Sequence, residues 1–342
     1  MDFSSDNSYG ATPDMLHALA HANHGTAASY GDDEFTSRLR ARMSAFFGRE
    51  VAVFPMLTGT AANALALATL CPPHGAIFCH AESHIAVDEC GASEFFTHGA
   101  KLVTLAGASG KLSPETIEGA LADFQRGVHG PKPCVISITQ ASESGTVYRP
   151  AEIAALSSLA RRRKLKLHMD GARLFNALAH LQCPAADITW KAGVDALSFG
   201  ATKNGALAAE AVVFFDPEAA ADFEYRRKKA GHLLSKMRFV SAQWEAMLEG
   251  DRWKVAAGHA NAMAEKLAQG LRGAKDAEIA CPVEANAVFV RLPDAKVAKL
   301  RKAGARFYDW GPSHAGRTLI RLVCSFATTE ADIGRFLDIA AR

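Results

Sequence analysis

The sequence predicts an α/β fold in which a three-layer α/β/α large domain, built on a mostly parallel seven-stranded sheet, precedes a smaller α+β domain. Short apolar runs bounded by turn residues alternate with helical segments through the first two thirds of the chain, as in a sheet covered on both faces. After about residue 218 longer helices replace this alternation. The length of 342 residues also exceeds the usual size of one hydrophobic core. We therefore expect two packed units.

Seven apolar runs are predicted to be the strands of the large sheet, and helices are predicted between them. Short apolar runs between turn signals are typical of buried strands. The predicted strands are Val51–Leu57, Ala76–Cys79, Leu102–Leu105, Cys134–Thr139, Leu165–Met169, Ala196–Phe199 and Ala211–Phe215. The predicted helices include Phe35–Phe47, Thr60–Leu70, Pro114–Phe124, Pro150–Arg163 and Ala172–Leu181.

The last third of the chain follows a different pattern. Two longer helices come first, Ala219–Gly231 and Val240–Leu271. Because Glu249-Gly250-Asp251 interrupts the second of them, we place the domain boundary there: residues 1–250 form the N-terminal segment and large domain, and residues 251–342 form the small C-terminal domain. The strands predicted in the small domain are Ala287–Leu292, Ala305–Trp310 and Thr318–Ser325, with a closing helix from Thr329.

Composition and charge exclude several classes of function. Hydrophobic residues make up 49% of the chain and charged residues 22%, which is typical of a globular protein. The 38 basic and 36 acidic side chains give a formal net charge of +2. This balance supplies no large field to attract nucleic acid or an anionic membrane. We therefore expect neither partner, and we expect a small-molecule substrate.

The cysteines and the N-terminus predict the cellular compartment. The seven cysteines are odd in number and show neither a CxxC motif nor a Cys/His metal spacing, so we expect no metal site. A reducing cytosol fits them best. The N-terminus lacks a basic region followed by an apolar run, and no stretch reaches about 20 uninterrupted apolar residues. We expect a cytoplasmic protein that is neither secreted nor inserted in a membrane.

The segment Leu57–Asn63 joins a predicted strand to a predicted helix through small residues. Backbone N–H groups at such a helix N-terminus, with the hydroxyls of Thr58 and Thr60, suit a phosphate. Small residues also open many helices simply as caps. The motif alone therefore leaves phosphate binding and capping open.

The segment Leu167–Arg173 ends a predicted strand in Asp170, and a small-residue turn follows. A carboxylate at a strand end can keep a heterocyclic nitrogen protonated. In pyridoxal 5'-phosphate (PLP) chemistry that pairing makes the ring an electron sink for bond cleavage at the substrate α-carbon. The alternative is an ordinary helix N-cap, a position that aspartate favours.

The segment Ala196–Gly205 runs from a predicted buried strand into a glycine-flanked loop with one lysine, Lys203. Burying an ammonium group is costly, so a lysine among small buried residues is usually paired or reactive. Desolvation also favours the neutral amine that condenses with an aldehyde. The alternative is an exposed loop lysine.

The segment Cys79–Glu89 places His84 after a predicted strand. Its imidazole could stack on a flat cofactor or transfer protons. The alternative is an ordinary polar loop histidine, because the chain has 13 histidines and most of them can have no catalytic role.

Taken in order, these motifs resemble those of the L-threonine aldolases, which belong to the β-eliminating lyase group of PLP-dependent enzymes with the aspartate aminotransferase-like fold (fold type I). The resemblance covers almost the whole chain and implies that the protein is an enzyme, a carbon–carbon aldehyde-lyase. The matching segments are Phe3–Asn7, Tyr30–Asp33, Thr58–Thr60, His84, Asp170–Arg173, Ser198–Gly205 and Ile320–Val323.

The resemblance implies a role for each matching residue around PLP. Lys203 would hold the cofactor as a Schiff base, and Asp170 would pair with its pyridine nitrogen. His84 would stack on the ring and could take part in proton transfer. The segment Thr58–Thr60 would hold the phosphate, and Arg173 would lie near the phenolic oxygen.

The resemblance also implies which residues bind the substrate. Ser5, Arg173 and Arg321 would bind its carboxylate, for which the two parallel donors of an arginine are suited. Two positions depart from the family pattern. Glu143 stands where many relatives have a histidine that contacts the substrate hydroxyl, and Asp88 stands where relatives often have an aromatic residue. Both changes put the substrate preference in doubt, so phenylserine-type substrates become a hypothesis beside threonine.

The implied reaction is the reversible cleavage of L-threonine, L-allo-threonine or a related β-hydroxy-α-amino acid into glycine and an aldehyde. The alternatives are an aminotransferase or β-eliminating lyase that uses the same lysine, and a catalytically silent relative that serves as a binding or assembly partner. The resemblance implies a homodimer or homotetramer with sites at the dimer interface. The sequence leaves the identity of the catalytic base open.

Overall fold

The structure, a computed structural model that describes residues 1–341, contains a seven-stranded and a four-stranded sheet. The strand order in the large sheet is β1-β7-β6-β5-β4-β2-β3. All seven predicted strands are present in it, with ends that differ by up to two residues. They are β1 (Ala52–Met56), β2 (Gly75–His80), β3 (Lys101–Leu105), β4 (Lys132–Thr139), β5 (Lys166–Gly171), β6 (Ala196–Gly200) and β7 (Glu210–Phe214).

Most neighbours in the large sheet are parallel. Strands β3, β2, β4, β5 and β6 pair in parallel, whereas β7 is antiparallel to both of its neighbours, β6 and β1. Parallel neighbours require crossover connections, which helices supply here. As a result, the carboxyl ends of β1, β2, β4, β5 and β6 lie at the same edge of the sheet.

Helices cover both faces of this sheet. The α-helices of residues 1–341, including those of the small C-terminal unit, are α1 (Pro13–Ala22), α2 (Glu34–Phe47), α3 (Gly59–Leu70), α4 (His84–Val87), α5 (Ala92–Phe96), α6 (Pro114–Leu121), α7 (Pro150–Arg163), α8 (Leu174–Leu181), α9 (Phe223–Lys229), α10 (Arg238–Leu248), α11 (Arg252–Arg272), α12 (Asp294–Lys302) and α13 (Glu330–Ala341). No helix within residues 1–341 is both long enough and apolar enough to cross a membrane.

Alternation of side chains along the strands builds the layers. On β7, Val213 packs in one hydrophobic core with residues of α2, α7 and α8, whereas Val212 and Phe214 pack in another core with residues of α3. Successive side chains of a strand point to opposite faces, so these cores lie on the two sides of the sheet. The predicted three-layer α/β/α architecture is confirmed.

A second unit follows the large sheet. Its antiparallel sheet has the order β10-β11-β9-β8, and its own core joins β9 and β11 to α11, α12 and α13. Phe3, from the N-terminus, is fully buried in this core. The strands are β8 (Glu278–Ile279), β9 (Ala287–Pro293), β10 (Tyr308–Asp309) and β11 (Arg317–Val323).

Three details of the C-terminal region differ from the expectation. The predicted helix Val240–Leu271 is two helices, because Gly250 adopts a left-handed conformation (φ +58°) between α10 and α11. The predicted strand Ala305–Trp310 contains only β10, and the short elements β8 and α12 were not predicted from the sequence. In the N-terminal region, α1 was not predicted either. The domain boundary after residue 250 stays a prediction. The last residue of the predicted small domain, Arg342, lies outside the described part of the chain.

Candidate active site

A cavity of about 380 Å³ lies at the edge of the large sheet where the parallel strands end, and we call it the sheet-edge cavity. Ligands bind in open α/β sheets at this edge, because the loops after several strands meet there. Eight residues predicted from the sequence line the cavity. They are Thr58, Gly59, Thr60, His84, Glu143, Asp170, Arg173 and Lys203.

The N-terminus of α3 forms one wall of the sheet-edge cavity. Thr58 is its N-cap, and its Oγ1 accepts a hydrogen bond from the N–H of Ala61 at 3.2 Å. The sequence left capping and phosphate binding open, and the structure shows that Thr58 does cap the helix. Other N–H groups of the first turn have no partner within the helix and carry the positive end of its dipole. Such a wall suits a phosphate group.

Asp170 lies at the end of β5 with both carboxylate oxygens occupied. Oδ1 accepts a hydrogen bond from the N–H of Ala172 at 3.0 Å, and Oδ2 accepts one from Nδ2 of Asn63 at 2.9 Å. Asp170 belongs to the strand and does not cap α8, which begins at Leu174. The residue is only 4% exposed, and it lines the cavity. The carboxylate is therefore fixed where it can meet a ligand.

His84 begins α4 and is bonded to a buried acid, Glu89. Its Nδ1 lies 2.8 Å from Oε1 of Glu89, whose side chain is fully buried. The hydrogen bond to Glu89 raises the pKa of His84 although burial opposes the change, and burial raises the pKa of Glu89. The pair therefore holds a proton between Nδ1 and the carboxylate, which leaves Nε2 of the imidazole available for a ligand.

Asn63 connects this pair to Asp170. Its Nδ2 donates to Oε1 of Glu89 at 2.8 Å as well as to Oδ2 of Asp170 at 2.9 Å. Neither Asn63 nor Glu89 was predicted from the sequence as a site residue, although both lie within the predicted motifs Leu57–Asn63 and Cys79–Glu89. The signal that could have found Glu89 is its position five residues after His84, within the same short loop.

Lys203 follows β6 in a short helical turn, Thr202–Asn204, and is half-buried. It is the only lysine among the described residues that line the sheet-edge cavity. The turn ends at Gly205, where φ is +102° and a Cβ would lie 2.5 Å from the side chain of Thr12. Glycine is the residue that this conformation and this contact allow. Lys203 is thus directed to the site by the backbone and is not an exposed loop residue.

Arg173 is paired with Asp6, a residue that was not predicted from the sequence as part of the site. Its Nε and one terminal nitrogen donate to the two oxygens of Asp6 at 2.8 and 3.0 Å, and Asn286 donates to Asp6 at 3.0 Å. Burial alone would raise the pKa of Asp6, but the charges of Arg173 and Lys203 lower it overall. Because this bidentate pair uses two donors of Arg173, fewer remain for a substrate.

Arg321, on β11, lies close to the cavity without lining it. Its guanidinium is 4.6 Å from the centre of the Trp310 ring, and its Nε is buried without a hydrogen-bond partner among residues 1–341. Burial, followed by the charge of Arg173, lowers the pKa of Arg321, and the charge of Glu143 opposes that change. An unpaired buried donor of this kind is costly, so it is a candidate for binding an anion.

The remaining predicted residues have different positions. Glu143 lines the sheet-edge cavity, and its charge acts on His84, Arg173 and Arg321. Ser5 and Asp88 do not line the cavity. Ser5 accepts a hydrogen bond from the N–H of Asn7 at 3.1 Å, and Asp88 is exposed at the end of α4. The structure therefore brings Glu143 to the site but leaves Ser5 and Asp88 outside its wall.

Comparison with known proteins identifies the family. Residues 2–295 match the model of the β-eliminating lyases. The chain is 44% identical to a low-specificity L-threonine aldolase from Pseudomonas sp. (strain NCIMB 10558), over 97% of this chain and 94% of that protein. The chain belongs to the β-eliminating lyase family. The family predicted from the sequence is therefore confirmed, and so is its cofactor, PLP.

Two further proteins that are similar to this chain support the family assignment. A low-specificity L-threonine aldolase from Pseudomonas aeruginosa is 44% identical over 99% of this chain and 95% of that protein. The structure of a threonine aldolase from Leishmania major superposes with a TM-score of 0.93 at 28% identity, covering 99% of this chain and 98% of that one. The match extends over both sheets, so the small unit belongs to the shared fold as well.

The groups of the sheet-edge cavity fit PLP in their chemistry. Lys203 offers one amine, Asp170 offers a buried carboxylate, and the N-terminus of α3 offers a wall for an anion. The carboxylate needs no rearrangement, since Asn63 and Ala172 already orient it. These are the three kinds of group that the aldehyde, the ring nitrogen and the phosphate of this cofactor require.

The substitution Glu89→Gln tests the origin of the His84 pKa. The carboxylate supplies the largest effect that raises this pKa, so its neutral isostere should lower it. The titration of the His84 ring, followed by NMR in the wild type and the variant, measures the shift. Glu82→Gln is the matched control, because Glu82 is exposed two residues before His84 and makes no hydrogen bond to it. An unchanged His84 titration in the Glu89 variant would contradict the assignment.

Proposed function

We propose that this protein is a PLP-dependent aldolase that reversibly cleaves L-threonine, L-allo-threonine or related β-hydroxy-α-amino acids, phenylserine among them, to glycine and an aldehyde. The observation that carries the proposal is the meeting of Lys203, Asp170, His84 and the N-terminus of α3 around one cavity. Relatives at 44% identity over nearly the full chain, named low-specificity L-threonine aldolases, support the reaction class.

The residues of the cavity divide the task of holding the cofactor. Lys203 would bind it covalently through Nζ, Asp170 would hold the pyridine nitrogen, and His84 would stack on the ring. The segment Thr58–Thr60 would hold the phosphate, and Arg173 would lie at the phenolic oxygen. When bound, PLP supplies an electron sink for the charge that develops at the substrate α-carbon as a bond to it breaks.

Arg321 is the better placed of the two arginines to bind the substrate carboxylate. Asp6 already occupies Nε and one terminal nitrogen of Arg173, whereas Nε of Arg321 lacks a partner among the described residues. An incoming carboxylate would satisfy this buried donor. Arg173, fixed by Asp6, would add positive charge nearby, and Ser5 would assist from the N-terminal segment.

Glu143 and His84 are the candidates for handling the proton of the substrate β-hydroxyl. Both line the sheet-edge cavity, and the charge of Glu143 acts on His84. A carboxylate accepts hydrogen bonds but cannot donate them when ionised, so Glu143 suits a hydroxyl that must lose its proton. His84 can take the proton at Nε2, because Glu89 binds its Nδ1. Asp88 would influence larger substituents from the rim.

We also propose that the protein is a cytoplasmic homodimer or homotetramer with its sites at the dimer interface. Leu207 lines the sheet-edge cavity and is 59% exposed, so part of the cavity wall is an uncovered apolar surface. The seven cysteines are all free, although two of them, Cys71 and Cys134, are neighbours. Free neighbouring thiols support a reducing compartment.

The aldolase activity is tested by measuring glycine and aldehyde released from L-threonine, L-allo-threonine and L-phenylserine by the PLP-loaded protein. We expect the two products in equal amounts, and we expect Lys203→Ala to lower the rate by more than about 10³-fold, because no other lysine of the described cavity wall replaces it. Lys254→Ala, an exposed position on α11, is the control. Bound PLP without cleavage of any of the three substrates would instead favour the aminotransferase or β-eliminating lyase alternative.

The role of Glu143 is tested by the substitution Glu143→Gln, which keeps the shape of the side chain and removes the acceptor charge. If the carboxylate takes up the hydroxyl proton, kcat/KM for L-threonine should fall about 10²-fold while the affinity for PLP stays constant. Glu115→Gln, at an exposed carboxylate on α6, provides the comparison. Wild-type kcat/KM in the Glu143 variant would assign the proton to His84 or to another group.

The proposed assembly is tested by sedimentation equilibrium of the PLP-loaded protein. We expect a mass of two or four chains. The substitution Leu207→Glu should shift the equilibrium toward the monomer, because it places a charge on the apolar surface that a partner would cover. Val255→Glu, at an exposed position on α11, is the control. A wild-type mass of one chain under the conditions of the activity assay would refute the assembly.

A further inference from the structure

Glu210 is a buried acid in the sheet-edge cavity to which the proposed reaction assigns no task. It is the first residue of β7 and pairs with Gly200 of β6 and Met56 of β1. The residue is 7% exposed, and it lines the cavity together with Lys203. Glutamate seldom occupies such a position unless it is paired. Its contacts show that only half of the carboxyl group is paired.

The two carboxyl oxygens of Glu210 have different surroundings. Oε1 accepts a hydrogen bond from Oγ1 of Thr202, the residue before Lys203. Oε2 lies beside the start of α3, where a Cβ added to Gly59 would be 3.7 Å away from it. Oε2 makes no hydrogen bond to any of residues 1–341. One oxygen is therefore held by the protein, and the other is available at the N-terminus of α3.

The surrounding structure keeps the carboxyl group in this place. Nε1 of Trp244 donates to the carbonyl oxygen of Glu210 at 3.1 Å, and the N–H of Ala209 donates to Oγ1 of Thr202 at 3.2 Å. A Cβ added to Gly200 would lie only 2.8 Å from Oε2, so the carboxyl group fits against bare backbone. Glu210 is thus held at the wall of the cavity that suits a phosphate.

Burial favours the neutral form of Glu210. Burial raises the pKa of Glu210 to about 7, although the hydrogen bond from Thr202 and the charge of Lys203 oppose the change. The charge of Asp170, from β5, contributes to the rise. The other residues that face Glu210 do not titrate, and they are Gly59 of α3, Met56 of β1, Gly200 of β6 and Trp244 of α10.

We propose that Glu210 is a cofactor-binding residue that is a neutral carboxylic acid in the PLP-loaded protein and donates a hydrogen bond from Oε2 to the cofactor phosphate. The inference rests on the proposed function, which places that phosphate at the N-terminus of α3. A phosphate group carries close to two negative charges near neutral pH. An ionised carboxylate beside it would be repelled, whereas a protonated one becomes a donor.

Above the pKa of Glu210 in the free protein, binding of PLP would then take up one proton from solvent. The proton joins Oε2 of Glu210 and remains there, one hydrogen bond forms, and no covalent bond of the carboxyl group changes. The bound phosphate would raise the pKa of Glu210 further. The affinity for PLP is therefore highest below the pKa of Glu210 in the protein without PLP, which is about 7. As the pH rises above that value, PLP affinity falls by up to about tenfold for each pH unit.

The test compares the pH dependence of PLP affinity in the wild type and in Glu210→Gln. The glutamine has the same shape and a permanent donor, so we expect the variant to bind PLP more tightly than the wild type at alkaline pH. The PLP affinity of the variant should also lack the pH dependence that Glu210 adds in the wild type. The ionisation of the phosphate in free PLP is the same in both titrations and cancels in the comparison. Glu245→Gln, at a buried acid of α10 paired with Arg38, is the matched control.

Pyridoxal, which lacks the phosphate, separates this effect from the rest of the site. Its affinity should depend on pH in the same way in the wild type and in Glu210→Gln. Calorimetric titration of the wild type in two buffers of different ionisation enthalpy gives a second measurement that needs no variant. Above neutral pH we expect PLP binding to take up about one proton more than pyridoxal binding does.

Each outcome decides between the alternatives. Equal pH dependence in the wild type and Glu210→Gln, or equal proton uptake with PLP and pyridoxal, would overturn the role of Glu210. A variant that does not fold leaves the calorimetric comparison of the wild type to decide. If the added pH dependence of PLP affinity is lost in Glu210→Gln but the wild type shows no aldolase activity, the role of Glu210 is supported and the proposed reaction is refuted. Failure of the wild type to bind PLP would overturn both.

Discussion

The amide group of Asn63 makes two hydrogen bonds on which the arrangement of the site depends. Its Nδ2 donates to Glu89 and to Asp170, two buried carboxyl groups that belong to different segments of the chain. Without this donor, Oδ2 of Asp170 would be buried without a partner, and Glu89 would keep only its bond to His84. The amide belongs to α3, so the helix that presents its N-terminus to the cavity also orients Asp170 and, through Glu89, His84.

Three acids of the cavity wall, together with Asp6 behind Arg173, are each compensated in a different way. Asp6 is ion-paired with Arg173, and Glu89 shares a proton with His84. Asp170 accepts two hydrogen bonds and would meet the positively charged ring nitrogen. Glu210 has no cationic partner at hydrogen-bond distance within the described chain, so protonation is the remaining way to neutralise it.

The positions of the arginines limit how a substrate can be recognised. Asp6 holds Arg173 with a fixed geometry, which makes its charge a constant part of the site. Arg321 comes from the small unit and lies against Trp310, with Nε unsatisfied among residues 1–341. A substrate carboxylate bound there would join the two units of the fold. The charge of Glu143 acts on His84 and on both arginines, so Glu143 lies near all three.

The sequence by itself determined the strands, the family and the residues with local signatures. Lys203 and Asp170 could be found because each directly follows or ends a buried strand, and the carboxyl ends of parallel strands must meet. Asp6, Asn63, Glu89 and Glu210 could not be found in this way. The roles of Asn63 and Asp6 come from partners distant in sequence, since Asn63 lies 107 positions from Asp170 and Asp6 lies 167 positions from Arg173. Glu89 and Glu210 bond to nearby residues, but their burial beside the cavity is a property of the fold. Only tertiary structure brings such groups within hydrogen-bond distance, and burial then decides which of them keep their charge.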